Sequence, residues 1–322
     1  MSASFPVSDH CDGRRFFNPH HHQDRNWLDV LRWKRSSRPA PWPAQPLPAR
    51  ITPAPLDPAH RLAATWIGQS TFLLQTRLGN ILTDPVYSDR IGPANRIGPR
   101  RVRAPGIAFD DLPAIDVVLL SHDHYDHCDH ATLRRLWRKH APLAITPLGN
   151  APLFRSAGFA PDRIIELDWW QSHALASGLN IALTPARHWS NRLRGPRNGR
   201  LWGGFFISAP AVTAFFAGDT AYDDTMFNDI QKKFGPPDLA LIPVGAYAPR
   251  WFMKEQHCDP AEAIQIHRDL GARTSLGMHW GTFPLTDDGF AEPPRELALA
   301  LAAAGLSPDV FRTCAPGEGL RI

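Results

Sequence analysis

The sequence predicts a layered α/β protein whose functional site lies at the ends of strands. From residue 61 onward, short apolar runs such as 62–68 (LAATWIG) and 212–218 (VTAFFAG) are separated by Gly, Ser and Asn, a pattern typical of successive β-strands. Segments with helical spacing of apolar residues, such as 131–140 (ATLRRLWRKH), lie between these runs. Strands and helices interspersed in this way form sheets covered by helices, and loops at the strand ends then carry the functional residues.

The predicted strands share a short apolar run bounded by turn-forming residues. They are 62–68, 71–76, 80–84, 116–121, 143–147, 163–167, 181–186, 204–208, 212–218, 238–244 and 274–280. The run at 116–121 (DVVLLS) is the most continuously apolar, as expected of a strand buried on both faces. Helices are predicted at 131–140, 223–234, 259–270 (where DPAEA is an N-terminal signal) and 292–304.

The first 60 residues are predicted to form a Pro-rich arm, and residues 61–322 the folded domain. Eight of the 32 prolines lie between Pro39 and Pro58, which excludes a helix or a central strand there. One short helix is predicted around 26–33 (NWLDVLRW). The arm either drapes over the domain or leads to a partner, and the triplet His20 to His22 is expected to bind metal only adventitiously.

Several features of the sequence indicate the cellular location of the protein. No apolar run approaches the roughly 20 residues needed to cross a bilayer, and the N-terminus lacks the apolar segment of a secretory signal. A cytoplasmic location, with peripheral contact at the membrane, is therefore predicted. The four cysteines are scattered without a CxxC pair, which predicts reduced thiols, and Cys128 is not needed as a metal ligand.

Arginine is concentrated in two stretches, 90–103 and 192–200, in a chain of net charge +4. Such stretches are either solvated loops or sites for an anionic partner. The partner could be phosphate, nucleic acid or an anionic membrane surface, and composition alone leaves these alternatives open.

The segment 121–130 (SHDHYDHCDH) is the strongest sign of a metal site, although a solvated polar loop is the alternative. It contains the pattern H-x-H-x-D-H, formed by His122, His124, Asp126 and His127. The pattern lies between a predicted strand and a predicted helix, where a loop can turn all four side chains toward one point. Imidazole and carboxylate groups bind zinc and related divalent ions, which need three or four ligands at about 2.0–2.2 Å.

Three further candidate ligands stand at the ends of other predicted strands. His188 follows 181–186, Asp219 follows 212–218, and His279 lies near the end of 274–280. Each of them, taken singly, is more simply an ordinary hydrogen-bonded residue. Four separate strand ends that each offer a ligand type together predict one metal centre.

The order H-x-H-x-D-H, then His, Asp and His, resembles that of the metallo-β-lactamase fold superfamily. The resemblance implies an αββα four-layer sandwich and two divalent metal ions, expected to be Zn2+, although His and Asp ligands also accept iron or manganese. It implies that the first metal is held by His122, His124 and His188. It further implies that the second is held by Asp126, His127 and His279, with Asp219 as the bridge.

Longer blocks are similar to the N-acyl-phosphatidylethanolamine-hydrolysing phospholipase D family. They include LPAIDVVLLSHDHYDHCD, FFAGDTAY, MHWGTF and, most diagnostically, GAYAPRWFMKEQHCDPAEA, and the similarity runs from about residue 62 to near 312. Gln69 stands where that family often has His. The resemblance implies hydrolysis of such glycerophospholipids to phosphatidate and N-acylethanolamine, with a hydroxide held between the two metals as the nucleophile.

Further site residues are assigned beside the ligands. Asp126 and His257 are the predicted catalytic residues, and His257 would protonate the leaving alcohol oxygen or orient the phosphate. Tyr125, Gln256 and Trp251 are predicted, with His257, to contact the substrate. The aromatic segments 168–170 and 249–254 fit a core equally well as a membrane interface or an acyl-chain groove.

Other functions were weighed against this prediction. The same metal site could serve another substrate class, a sugar lactone or an RNA phosphodiester, because the fold does not decide the substrate. Nucleic acid is not favoured, since the arm is Pro-rich and not notably basic. A non-catalytic scaffold is not favoured either, since all seven ligands are present. A homodimer agrees with the resemblance, but no pattern in the sequence bears on it.

Overall fold

The computed structural model describes residues 4–19, 23, 25–43, 51–193 and 195–322. Its first sheet contains β1 (Leu62–Gly68), β2 (Thr71–Thr76), β3 (Gly79–Thr83), β4 (Val117–Leu119), β5 (Leu143–Pro147), β6 (Ile164–Leu167) and β14 (Gly319–Arg321). Its second sheet contains β7 (Ser172–Ala174), β8 (Asn180–Thr184), β9 (Gly204–Ala209), β10 (Val212–Phe216), β11 (Leu239–Pro243), β12 (Thr274–Met278) and β13 (Phe311–Thr313). The helices are α1 (Trp27–Ser36), α2 (His130–His140), α3 (Ala151–Ala157), α4 (Met226–Phe234), α5 (Arg250–Met253), α6 (Pro260–Asp269) and α7 (Glu292–Ala303).

Both sheets are mixed, and each has seven strands among the described residues. The first runs in the order β14-β1-β2-β3-β4-β5-β6, antiparallel from β14 to β3 and parallel from β3 to β6. The second runs β13-β12-β11-β10-β9-β8-β7, parallel from β13 to β10 and antiparallel from β10 to β7. The carboxyl ends of β3, β4, β10 and β12 therefore belong to the parallel part of each sheet.

The apolar core lies in three layers, one between the sheets and one on the outer face of each sheet, because successive side chains of a strand point to opposite faces. Phe72 and Leu74 of β2 lie in the core between the sheets, whereas Leu73 faces the layer of α2 and α3. Leu133 of α2 and Phe154 of α3 complete that outer layer. On the other side, α4, α6 and α7 pack against the second sheet through apolar faces. The αββα sandwich implied by the resemblance is confirmed.

The strands and long helices predicted from apolar periodicity are all present, with ends shifted by a few residues. Five elements were not predicted: α3, α5, β7, β13 and β14. Each is short, and β7 and β14 are largely exposed or half-buried, so that no apolar run marks them. The segment 168–170 lies in or against the core, with Trp169 buried between the sheets.

The described part of the N-terminal arm lies against the domain. Cys11 and Phe16 are buried in the larger apolar cluster of the domain, Trp33 of α1 packs on Phe252 of α5, and the Ile51 N–H donates to the Gly106 carbonyl. The arm therefore drapes over the domain rather than leading away from it. The boundary at residue 60 stays a prediction, and His20 to His22 and residues 44–50, with two of the eight prolines of the run, lie outside the described residues.

Two further sequence predictions concern the chain as a whole. All four cysteines are buried thiols without a disulfide, as predicted. Among the residues that the structure describes, no helix has both the length and the apolar character required to cross a bilayer.

Candidate metal centre

The seven predicted ligands converge on one edge of the sandwich. The motif 122–127 follows β4, Asp219 follows β10 and His279 follows β12, all at carboxyl ends of strands in the parallel parts of the two sheets. His188 follows β8, which is antiparallel to β9 and therefore runs in the same direction as β10. The two sheets thus contribute side chains to a single cleft.

Local contacts explain why the motif turns inward. Asp129 caps α2, its carboxylate accepting hydrogen bonds from the Ala131 and Thr132 N–H groups, so the helix begins immediately after the motif. Asp123, between two ligands, points away from the centre and forms a buried ion pair with Arg200 at 2.8 Å. Of the acidic and histidine residues in 121–130, only the four of the H-x-H-x-D-H pattern face the cleft.

The first group of donors consists of three histidines. Nε2 of His122 lies 2.9 Å from Nδ1 of His124, and Nε2 of His188 lies 3.3 Å from the same atom. Nitrogens bound to one ion at about 2.1 Å with tetrahedral angles are about 3.4 Å apart. The three histidines therefore have nearly the spacing of ligands around a common ion.

The second group consists of two carboxylates and two histidines. Oδ2 of Asp126 lies 3.1 Å from Nε2 of His279 and 3.3 Å from Nε2 of His127. Oδ2 of Asp219 lies 3.1 Å from each of the same two nitrogens. Nε2 of His127 nevertheless makes no hydrogen bond to any described residue, so it is close to both oxygens without pointing at either.

Asp219 stands between the two groups. The Oδ2 atom that contacts His127 and His279 also lies 4.0 Å from Nε2 of His122 and 3.8 Å from Nε2 of His188. Its other oxygen, Oδ1, is buried and has no hydrogen-bond partner among the described residues. A buried carboxylate oxygen without a donor is costly unless a cation or water satisfies it. This donor set fits a metal centre in which Asp219 lies within reach of both groups.

The ligands are oriented by a layer of hydrogen bonds behind them. Asp84, which follows β3, accepts from Nδ1 of His127 at 2.6 Å and from the Ser121 hydroxyl at 2.5 Å. That hydroxyl lies 2.9 Å from Nδ1 of His122. One carboxylate therefore supports a ligand in each group, and such supports fix ring orientation and tautomer.

Gln69 and Gln256 also form hydrogen bonds that orient the ligands, but Gln69 uses its side chain and backbone whereas Gln256 uses only its backbone. The side-chain amide of Gln69 donates to Oδ2 of Asp126 at 2.9 Å, and its carbonyl accepts from the His279 N–H. Gln256 contributes its backbone carbonyl, which lies 2.9 Å from Nδ1 of His188. The Gln256 side chain points instead to Met253, and its predicted contact with substrate stays a prediction.

The two groups differ electrostatically in the metal-free protein. Burial lowers the pKa of His124 to about 4 and that of His188 to about 3, so these rings are neutral. Burial also acts on His279, but the nearby carboxylates of Asp219 and Asp126 outweigh it and raise its pKa to about 9. The same carboxylates raise the pKa of His127. In the second group, metal binding would therefore compete with protonation of these two imidazoles.

The remaining predicted residues lie around the centre. Nδ1 of His257 is 3.9 Å from Oδ2 of Asp219 and has no described hydrogen-bond partner, and burial lowers the pKa of His257 to about 3. Tyr125 is half-buried beneath the Arg192 guanidinium, 4.0 Å from its ring centroid. Trp251 lies on the surface of α5, 37% exposed.

Sequence reasoning missed several supporting residues. Asp84 stands at the end of a predicted strand, as Asp219 does, and that position was the available signal. Ser121 ends the predicted strand 116–121 and carries the same signal, whereas Asn18 carries none, since its role depends on a contact that only the folded chain brings together.

Comparisons with known proteins agree with this geometry. The model of the β-lactamase superfamily domain matches residues 79–280. An uncharacterised protein of Mycobacterium tuberculosis is 39% identical over 303 residues, which are 93% of this chain and 79% of that protein. N-acyl-phosphatidylethanolamine-hydrolyzing phospholipase D 1 of Caenorhabditis elegans is 37% identical over 266 residues, 80% of this chain and 75% of the worm protein.

Among solved structures, the metallo hydrolase Igni18 of Ignicoccus hospitalis superposes with a TM-score of 0.61 at 23% identity, over 81% of this chain and 98% of that one. This likeness concerns the fold. The domain match, the fold and the sequence identities together define the class, a metal-dependent hydrolase. The chain belongs to the metallo-β-lactamase superfamily, and within it to the family that includes the N-acyl-phosphatidylethanolamine-hydrolysing phospholipases D.

Proposed function

We propose that the protein is a dinuclear zinc-dependent phosphodiesterase. Its substrates would be N-acyl-phosphatidylethanolamine-like glycerophospholipids, hydrolysed to phosphatidate and N-acylethanolamine. The observation that carries the proposal is the pair of donor groups that meet at Asp219. The substrate class is supported by the 37% identity to the worm phospholipase D.

In this proposal the first ion is held by His122, His124 and His188. The second is held by Asp126, His127 and His279, and Asp219 contacts both. Zinc is favoured over manganese because five of the seven donors are imidazoles, which suit zinc better than the carboxylate-rich sites of manganese do. When bound, such ions supply Lewis acidity toward phosphoryl oxygens and a nucleophile from water at neutral pH.

The protein side chains prepare the cleft for a phosphodiester. Gln69 fixes Asp126 by donating to its Oδ2 atom, and Asp84 fixes His127 and, through Ser121, His122. His257 is neutral and its Nδ1 faces Asp219 without a described partner. A neutral imidazole is a poor proton donor but a good hydrogen-bond donor. We therefore assign His257 to orienting the phosphate rather than to protonating the leaving oxygen.

A phospholipase must also reach lipid, and α1 provides a surface for this. Only one of its ten residues, Trp33, is buried, whereas Trp27 is 70% exposed, Leu28 56% and Leu31 49%. A helix on the surface of a soluble protein normally turns its polar face outward. Here most of the exposed residues in the first half of the helix are apolar, and most of those in the second half are basic, as in helices that lie in a membrane interface.

Basic groups surround this apolar face. Arg32 and Arg25 lie over the exposed Trp251 ring, and Lys34 and Arg35 occupy the last turn of α1. Arg197, from the second arginine stretch, donates to the Arg25 carbonyl. Within α1 itself, Asp29 is the single acidic residue. This charge balance is complementary to an anionic lipid surface.

The surface formed by α1 and the basic groups around it is connected to the metal centre through the chain. Loop 188–200 begins at the ligand His188, and α5 leads directly to Gln256 and His257. We therefore propose that α1, Trp251 and Arg197 contact an anionic bilayer and so bring the cleft to the membrane. A second copy of the chain on this surface would place cations against cations, so the surface does not account for the homodimer, which stays a prediction.

The proposal is tested on the full chain loaded with zinc. We expect about two metals per chain by elemental analysis, and chelator-sensitive release of phosphatidate from vesicles of N-acyl-phosphatidylethanolamine by mass spectrometry. Asp219→Asn is expected to abolish the release, whereas Asp224→Asn, an exposed carboxylate on the same loop, leaves it unchanged. Two metals without lipid cleavage would overturn the substrate class and direct the assay to lactones and RNA, and a chain that takes up no metal would overturn the whole proposal.

A further inference from the structure

The N-terminal arm contacts the candidate metal centre through the side chain of Asn18, which the composition of the arm does not predict. The side-chain amide of Asn18 donates from Nδ2 to the His188 carbonyl at 2.9 Å. The His188 N–H donates in return to Oδ1 of Asn18 at 3.3 Å. One amide thus satisfies both backbone polar groups of a candidate metal ligand.

These backbone groups depend on Asn18. His188 is fully buried, with an exposed fraction of 0%, and it lies beyond the end of β8, where no neighbouring strand pairs with it. Buried backbone donors and acceptors are nearly always paired, and leaving one unpaired costs about 1–3 kcal/mol. The arm therefore replaces the strand partner that the sheet does not provide at this position.

The arm is fixed firmly enough to hold Asn18 in place. Residues 5–17 form a compact turn in which the Phe5 N–H donates to the Gly13 carbonyl and the Phe17 N–H to the His10 carbonyl. Phe16 is buried in the core, and its N–H donates to the Asn198 carbonyl. His10 Nε2 lies 2.8 Å from the Asp168 carboxylate. Asn18 extends directly from this anchored unit.

His188 then has two independent supports. Asn18 holds its backbone, and the Gln256 carbonyl holds its ring through Nδ1, which leaves Nε2 directed toward His124 and Asp219. The second donor group is supported from elsewhere: Asp84 holds His127, and Gln69 contacts Asp126 and His279. Only the first group depends on the arm through a described contact.

We propose that the arm is a structural part of the metal centre and that Asn18 is a positioning residue for His188, acting on the first metal and not on the second. The proposal depends on the metal ligation proposed above but not on the identity of the substrate. It also gives residues 5–18 of the arm a role within the enzyme, in addition to the membrane contact proposed for α1.

The test compares metal binding by the full chain and four variants, using zinc titration against a competing chelator and the absorption spectrum of the Co2+-substituted protein. For Asn18→Ala we expect the affinity for one metal to fall about 10–100-fold, the usual effect of losing a support for a ligand, with the other metal unchanged. Asn18→Asp keeps the acceptor for the His188 N–H but sets a carboxylate oxygen against the His188 carbonyl, so we expect a fall at least as large at the same metal. Asn26→Ala, which removes the cap of α1 in the same arm, is the matched control and is expected to bind both metals normally.

The His188→Ala variant distinguishes a wrong ligand assignment from a wrong role for Asn18. It should lose the same metal, with the same spectral change, as Asn18→Ala. If His188→Ala binds both metals normally, the ligand assignment is wrong and not only the role of Asn18. If His188→Ala loses one metal but Asn18→Ala and Asn18→Asp bind both with parental affinity and spectrum, the positioning role is overturned. Loss of both metals together with a lower melting temperature in both Asn18 variants would also overturn it, in favour of a general role in folding.

Discussion

Oδ2 of Asp84 lies 2.6 Å from Nδ1 of His127, in a position where neither side chain is exposed to solvent. The same oxygen accepts from Ser121, which contacts His122. Because each histidine uses Nδ1 for these contacts, its Nε2 is left to face the centre. Asp84 therefore links a ligand of the first group to a ligand of the second.

Asp84→Asn is expected to weaken the binding of both metals, each by about 10–100-fold, because the charge that fixes the two imidazoles is lost. The measurement is zinc titration against a competing chelator, in which the binding of the first and of the second metal is resolved as two separate steps. Asp116→Asn, an exposed carboxylate beside the same sheet, serves as control and should leave both steps unchanged. A variant that weakens only one step would show that Ser121 does not transmit the effect to His122.

The metal-free protein is expected to lose stability as the pH rises from about 6.5 to about 9. His279 has an ordinary pKa of 6.5 when unfolded, and Asp219 and Asp126 overcome the effect of burial to raise it to about 9 in the fold. Its protonated form thus stabilises the fold fully below pH 6.5, and this contribution disappears as the proton is lost. Melting temperatures of the chelator-treated chain across this interval measure the effect.

His279→Gln should flatten this pH dependence in part, since His127 retains its own raised pKa. Zinc affinity is expected to increase over the same interval, because fewer protons must be displaced. A melting temperature that is constant or rises with pH in the metal-free chain would contradict the assignment of these protons.

His257→Ala is expected to lower kcat for phospholipid by about 100-fold while leaving two metals bound, because His257 faces the centre but is not needed as a ligand. His257→Gln, which keeps a hydrogen-bond donor, should recover part of the rate. His267→Ala, which removes another buried histidine with a hydrogen bond to Ser275, is the control. If His257→Ala instead releases a metal, His257 is itself a ligand. Its position within reach of His188 and Asp219 would allow this.

Replacing Trp27 and Leu31 together by Ser is expected to reduce binding to vesicles of phosphatidylglycerol and phosphatidylcholine by tenfold or more, since each buried apolar side chain contributes about 1.5–3 kcal/mol. Leu299→Ser, which removes an exposed leucine from α7, is the control. Binding of the parent chain should weaken as salt rises, because the basic groups are screened. Sedimentation with vesicles at several salt concentrations measures both effects, and equal binding by the double variant would exclude α1 as the contact.

The order of strands and long helices could be predicted because apolar periodicity records it directly. The motif 122–127 and the three later ligands could be predicted to converge because each follows an apolar run, and the parallel parts of both sheets bring such ends to one edge. The short elements α3, α5, β7, β13 and β14 could not be predicted from the sequence, since their positions depend on neighbours distant in sequence.

The supporting residues show the same limit. Asp123 stands between two ligands and is chemically suited to bind metal, yet its ion pair with Arg200 turns it away. Asn18 lies in a segment whose composition suggested a loose arm, yet it completes the surroundings of His188. In both cases the partner lies more than seventy residues away in the chain, and no local pattern identifies it.

The pairing of β14 with β1 joins segments that are more than 250 residues apart in the sequence. The last strand of the chain borders the first strand of the same sheet, and β12, which precedes His279, enters the second sheet only after most of the polypeptide has been made. A nascent chain on the ribosome that has already exposed the 122–127 motif therefore lacks both the sheet edge and the opposing ligands. A chain that ends before β12 would hold six of the seven candidate ligands but would lack His279 and the strand that borders β1.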